Sequence, residues 1–157
     1  MTPTLAWSDL AAADLTARTL YDVLALRAEV FVVEQECAYQ DVDGLDLLEG
    51  TRHLLGRDQE GVGAYARMLA PGEHRTPRIG RVIVAPRARG RHLARDLMTR
   101  ALAVCAAHWP GEAVELGAQA HLRELYGSLG FVAQGEPYVE DGIPHVWMRR
   151  GWVPNVG

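Results

Sequence analysis

A single mixed α/β (α+β) domain is what the amino-acid sequence predicts, on three observations. Short β-branched and aromatic runs alternate along the chain with longer stretches of helical periodicity. One apolar run, Val82 to Val84, leads through an arginine-glycine turn into an amphipathic stretch. The 157 residues, 48% apolar and 23% charged, fit one domain with a sizeable core. That domain is expected to span residues 1–157, since no internal repeat or low-complexity linker interrupts it.

Each element follows from local pattern. Residues around Leu5 to Trp7 read as a short strand. Thr16 is placed to cap a helix, with Leu15 and Leu20 at the spacing of a hydrophobic staple. That helix runs to about Val33 on a stripe of Leu20, Val23, Leu24, Val30 and Phe31 that also carries Arg27. From there to Glu49 the chain reads as acidic loop and short helix. His53 to Gly56 and Val62 to Leu69 are strands joined by a turn around Asp58 to Gly61, a hairpin by spacing. The strand Ile79 to Val84 follows a Pro/Gly loop, and Pro86 denies it a further donor. Apolar residues at Leu93, Leu97, Met98, Ala101, Leu102 and Cys105 make a helix that ends near Trp109, Pro110 and Gly111. A strand at Ala113 to Leu116 comes next, then a helix at about His121 to Leu129 stopped by Gly130. Phe131 to Ala133 and His145 to Arg149 are the last strands.

The turn after Val84 carries the first chemical signal. Gly90 supplies a flexible position, and the amides of Arg91, His92, Leu93 and Ala94 lie near a helix start, where they lack intrahelical acceptors. An anion there gains their hydrogen bonds and the helix dipole, worth about 0.3–1 kcal/mol for an exposed charge. Arg87, Arg89, Arg91 and Arg95 add forked donors suited to phosphate oxygens. An ordinary solvated strand-to-helix loop accounts for the same turn equally well.

Charge is informative in its distribution. Residues 1–50 hold ten acids against Arg18 and Arg27, while the remainder is net basic within a formal net charge of −4. An acidic front and an arginine-rich middle suit a protein that takes a cation on one side and a polyphosphate on the other, and a solvated acidic face is the competing explanation. All sixteen basic residues are arginine, which excludes a lysine nucleophile. Net negative charge without an aromatic-basic stripe disfavours nucleic acid. Cys37 and Cys105 have no CxxC or Cys/His spacing, so neither a disulfide framework nor a metal site is expected. The first fifteen residues lack the signature of a signal peptide and no segment suits a bilayer span, so a cytoplasmic protein without membrane partners is expected.

RGRHLA at 89–94 and LYGSLGF at 125–131, in this order of elements, resemble the GNAT superfamily of acetyl-CoA-dependent N-acetyltransferases over most of the chain. RAEVFVVEQECAYQDVDGLD at 27–46, LGAQAHL at 116–122 and EDGIPHVWM at 140–148 are similar to its ElaA-type branch. The resemblance implies the GNAT fold, a splayed mixed sheet of six to seven strands flanked by about four helices. At the phosphate turn Arg89 and Ala94 match the superfamily pattern, and His92 stands where glycine is usual. The resemblance also implies that Val82, Ile83 and Val84 carry the pantetheine arm as an added strand would. The turn residues Arg89, Gly90, Arg91, His92, Leu93 and Ala94 would hold the diphosphate. Tyr126 would protonate the departing thiolate, and Gln119 replaces the usual asparagine seven residues earlier. Packing of the Tyr126 ring in the core is the alternative. Arg27 and Phe31 reproduce the Arg-three-residues-Phe spacing of acyl-homoserine-lactone synthases, a related fold.

The expected reaction is transfer of acetyl from acetyl-CoA to a primary amine on a small molecule or peptide. An acyltransferase using longer thioesters and a non-catalytic acyl-CoA-binding module are the other readings. A lysine-like amine is neutral only about once in 2,500 molecules at pH 7, roughly 4.6 kcal/mol uphill, so deprotonating the acceptor is the harder task. Glu29, Glu34, Asp41, Asp43, His121 and His145 are candidate bases or amine anchors, and no spacing singles one out. Arg27 is either a substrate ligand or a cation paired with one of these carboxylates. Tyr65 and His145 either line the acceptor cleft or point into packing. The acceptor and the oligomeric state, a homodimer included, are not legible.

Overall fold

The computed structural model describes residues 4–154. Its strands are β1 (Ala6–Ala11), β2 (Arg52–Asp58), β3 (Gly61–Leu69), β4 (Arg78–Val84), β5 (Val114–Gln119), β6 (Val132–Glu140) and β7 (Ile143–Arg150). They form one seven-stranded sheet in the order β1-β2-β3-β4-β5-β7-β6. Every neighbouring pair is antiparallel except β4 and β5, whose parallel step requires a crossover. Helix α2 (Leu93–His108) makes that crossover, and α1 (Ala17–Arg27) and α3 (Arg123–Ser128) complete three α-helices among the described residues.

Strand alternation sorts side chains onto two cores. In β3, Ala64, Ala66 and Met68 join the larger core with Leu97, Met98 and Ala101 of α2, whereas Tyr65 joins Val23 and Leu26 of α1 on the other face. β4 breaks the period. Ile79 and Val82 lie three apart yet pack on the same core, because Arg81 enters as a bulge at φ +52 between Gly80, opposite Arg67, and Ile83, opposite Tyr65. The bulge bends β4 away from β5, and Arg78 with Glu115 is the one ladder position the two strands share. The β5-facing edge of Val82–Val84 is thereby left without a strand partner.

Four departures from the sequence reading have physical causes. Thr16 caps α1 as expected, accepting from the Thr19 amide at 3.1 Å, but the helix does not continue regularly to Val33. It widens after Arg27 into a π-helix over Ala28–Glu34, with the amides of Gln35 and Cys37 donating to the carbonyls of Val30 and Val32 at 3.2 and 3.0 Å. The expected short helix before Glu49 is a run of turns, so the helix count is three rather than four. Side-chain ion pairs described below hold that segment in place of helical bonds. β6 runs to Glu140 instead of stopping at Ala133, because Gly135 and Pro137 are absorbed by an irregularity between Gln134 and Tyr138 on an edge strand. β1 extends to Ala11 because its ladder with β2 supplies the order its weak alternation lacks. No helix among the described residues is long and apolar enough to cross a membrane.

Candidate active site

Where β4 and β5 part, a cleft of about 1020 Å³ opens. Its first wall is the free edge of β4, with Val82, Ile83 and Val84 continued by Arg89, Ala94 and Met98. β5 contributes Leu116, Gly117 and Gln119, and Tyr138, His145 and Trp147 extend the surface onto β6 and β7. Across from them stand Phe31 and Glu34 of the π-helix and Gln35 just after it, with Cys37, Tyr39 and Asp43 of the acidic segment. The wider π turn brings these residues to the cleft, a common use of that geometry. His121 and Tyr126 complete the lining.

Tyr126 is 4% exposed and packs its ring edge-on against Phe131, with centroids 6.0 Å apart. The ring packs in the core, and the residue also lines the cleft. Its hydroxyl makes no hydrogen bond to another described residue, and burial pushes its pKa up to about 12, so it stays protonated near neutrality. Gln119 lies beside it in the lining and donates to the Gln35 side chain at 3.4 Å.

The turn has the backbone its sequence pattern suggests. Gly90 has φ +91 and His92, just before α2, has φ +56, the left-handed region in which glycine is free of strain. His92 therefore holds a backbone conformation that glycine would adopt with less strain. Arg89 and Ala94 line the cleft, while Gly90, Arg91, His92 and Leu93 lie outside the lining. The four arginines do not gather as expected. Arg87 turns to Asp58 at 2.7 Å and to Glu60, and Arg95 donates to Ser128 Oγ. Arg89 forms a forked pair with Glu34 at 2.7 and 3.1 Å and also donates to the Val84 carbonyl at 3.2 Å. Arg91 remains exposed at the turn.

Two residues proposed as acceptor ligands are removed from that role by burial. Arg27 is fully buried, bound through Nε to Asp41 Oδ2 at 2.8 Å, through a terminal nitrogen to Asp46 Oδ1 at 2.5 Å and to the Asp41 carbonyl at 2.9 Å. It is the ion-paired cation, and of the Arg27/Phe31 pair only Phe31 reaches the cleft. Tyr65 is also fully buried and donates to His53 Nδ1 at 2.7 Å. The other ring nitrogen of His53 lies 2.8 Å from the Asp46 carbonyl, which can only accept, so Nε2 carries the proton. Burial holds His53 below the usual histidine range.

This buried network extends to Arg67, which grips both oxygens of Asp43 at 2.8 and 2.9 Å and Asp46 Oδ1 at 3.0 Å. Arg81, projecting from the bulge, reaches the Asp41 carbonyl and Asp43, and Tyr39 donates to Asp41 at 2.6 Å. Burial opposes ionisation of Asp43 and Asp46, but the arginine hydrogen bonds and charges outweigh it; Asp43 is held at about 2, and Asp46 also lies below its ordinary value. The network pins the acidic segment over the sheet and so sets Tyr39 and Asp43 against the cleft. Arg67 and Arg81 carry no sequence signal for this role, since their partners lie tens of residues away. Trp147 was legible: two residues beyond His145 in a strand, it must share that residue's face. Among the described residues no group of three or more His, Cys, Asp or Glu side chains is arranged to hold a metal ion.

Residues 16–151 match the family described as Acetyltransferase (GNAT) domain. Protein ElaA of Escherichia coli (strain K12) is 48% identical over 145 residues, covering 92% of this chain and 95% of that protein. The crystal structure of Escherichia coli ElaA aligns with a TM-score of 0.89 at 46% identity over 93% of this chain and 99% of that one. An acyl-CoA N-acyltransferase from Pseudomonas aeruginosa aligns with a TM-score of 0.91 at 49% identity over 94% and 99%. A CoA-dependent acyl-homoserine lactone synthase shares the fold at 20% identity, with a TM-score of 0.74 over 96% and 84%. On the match over residues 16–151 and the identity to ElaA over nearly the whole chain, the protein belongs to the GNAT acetyltransferase family.

Proposed function

We propose that the protein transfers an acetyl group from acetyl-CoA to a primary amine on a small molecule or peptide, by direct attack within a ternary complex. The observation that carries this reading is Tyr126, a protonated phenol without a partner among the described residues, set in the lining of a cleft that opens between two parted strands. Its hydroxyl is free to hydrogen-bond a sulfur leaving group and to pass it a proton as the C–S bond breaks. The unpaired edge of Val82–Val84 offers main-chain groups to a pantetheine arm as a sheet edge offers them to a strand. The start of α2 offers amides to a diphosphate. The Pseudomonas aeruginosa relative, described as an acyl-CoA N-acyltransferase, supports the same reaction class. A covalent relay is disfavoured: Cys105 is buried with its thiol pushed up to about 12, and Cys37 points to the Asp141 carbonyl at 3.4 Å. The test is turnover of acetyl, butyryl and longer acyl thioesters against a panel of amines including spermidine and a lysine peptide. Acetyl transfer to an amine is expected. Preference for the long chain overturns the acetyl assignment, and binding without transfer to any amine leaves an acyl-CoA-binding module.

A further inference from the structure

We infer that His145 is the general base of the transfer proposed above, accepting the amine proton on Nε2. The assignment rests on that reaction and on the ring's fixed hydrogen bond. Nδ1 lies 2.7 Å from the Ile143 carbonyl, and a carbonyl only accepts, so in the neutral ring Nδ1 carries the hydrogen and Nε2 the lone pair.

The ring is also held in place at the cleft. His145 is paired in register with Gln119 of β5 and Tyr138 of β6, so all three share the cleft face of the sheet. Its side chain is 11% exposed and stacks on the Tyr138 ring with centroids 5.6 Å apart and planes 20° apart. Gly117 makes this stack possible, since a Cβ there would stand 2.7 Å from the Tyr138 hydroxyl. Nε2 lies 3.9 Å from Glu140 Oε2, too far for a hydrogen bond, so its lone pair is not engaged there.

Of the carboxylates in the cleft lining, Glu140 and Asp141 are exposed to solvent, and the other two are engaged elsewhere. Glu34 is paired with Arg89, and Asp43 with Arg67 and Arg81. Asp41 is buried against Arg27, and His121, though in the lining, is exposed and has no hydrogen bond among the described residues to fix its ring. The titratable and charged groups that share the cleft with His145 are Tyr138 and Glu140 from β6, Asp141 from the hairpin turn, Cys37, Tyr39 and Asp43 from the acidic segment, Glu34 from the π-helix, Arg81 from β4, Arg89 from the turn, His121 after β5 and Tyr126 from α3.

The step balances as follows. The ammonium gives one proton to Nε2, and the freed lone pair forms the C–N bond to the thioester carbon. As the C–S bond breaks, sulfur takes a proton from Tyr126, which regains one from the second N–H through solvent. The products are the amide, the free CoA thiol and one proton released from His145.

Two measurements test the assignment. Long-range proton–nitrogen NMR of the labelled full chain near pH 8 is expected to report a protonated Nδ1 and a bare Nε2; the opposite tautomer overturns it. His145→Asn retains an amide donor toward Ile143 without supplying a base. With acetyl-CoA and the amines named above, it is expected to lose about 100-fold in kcat/KM or more. Its acetyl-CoA affinity should not change, and the acidic limb of the wild-type pH profile should vanish. A folded His145→Asn variant with wild-type rate overturns the role alone, whereas a wild-type chain that binds acetyl-CoA and acetylates none of the amines overturns the transfer reading and the role with it.

Discussion

Arg89 meets the cleft already engaged, its guanidinium forked onto Glu34 and tied to the Val84 carbonyl. Any diphosphate that uses Arg89 must compete with that carboxylate. An exposed pair is worth at most about 1 kcal/mol, so Glu34→Gln is expected to tighten acetyl-CoA binding about 2–5-fold by calorimetry. Unchanged or weaker affinity would place Arg89 outside the carrier site. Tyr126 gives the complementary expectation. Removing its hydroxyl leaves the packing on Phe131 intact, so Tyr126→Phe should lower kcat by about 100-fold while acetyl-CoA affinity stays within about twofold. Lost affinity with an unchanged rate would make it a binding residue instead.

At the level of elements, the strand-turn-helix from β4 to α2 does two separate jobs. The bulge at Arg81 parts β4 from β5, and the turn at Gly90 and His92, both at positive φ, leads the chain into α2. A Cβ at Gly90 would meet nothing within 4 Å, so only backbone conformation opposes a larger residue there. Gly90→Val must either strain a φ of +91 or redraw the turn, and it is expected to weaken acetyl-CoA binding about tenfold or more while the melting temperature falls by only a few degrees. Global unfolding would show that the turn holds the fold rather than the ligand. This stretch was the most legible in the chain, because Pro86, Gly90 and the helical period from Leu93 act locally. The bulge and the π-helix were not, since an inserted residue alters which side chains share a face without altering composition. The three-residue interval between Ile79 and Val82 is its one trace in the sequence.

For the molecule as a whole, the buried ion network couples the acidic segment to α1, β3 and β4. Asp46 accepts from both Arg27 and Arg67, so Asp46→Ala leaves two buried guanidiniums short of a counter-charge and should cost about 3–5 kcal/mol in urea unfolding. A cost below 1 kcal/mol would mean that the segment is held by something else. Acid should act on the same network. Asp43 and Asp46 titrate below their unfolded value of 3.8, so their stabilisation is present above that pH and is lost as pH falls through the folded values, about 2 for Asp43. His53 is depressed below 6.5, so the unfolded chain takes up a proton before the folded one does, and stability begins to decline below 6.5. The urea midpoint is therefore expected to fall slowly below pH 6.5 and steeply below about 4. A midpoint constant down to pH 3 would contradict both assignments.

Local chemistry sufficed for the mixed architecture, all seven strands in their order along the chain and the helix-start turn, because periodicity, caps and turn residues act over a few positions, whereas Tyr126 was singled out by family resemblance alone. Long-range packing settled the rest. Whether Arg27 and Tyr65 faced substrate or core depended on Asp41, Asp46 and His53, which reach them only once the sheet has formed. The hydrogen bond that leaves Nε2 of His145 bare belongs to the β6–β7 hairpin, and the neighbours that hold the ring at the cleft come from β5 and β6. The physical reason is one of range: a residue's element is decided by its neighbours in the chain, whereas its burial and chemical role are decided by groups that only folding brings within a few ångströms.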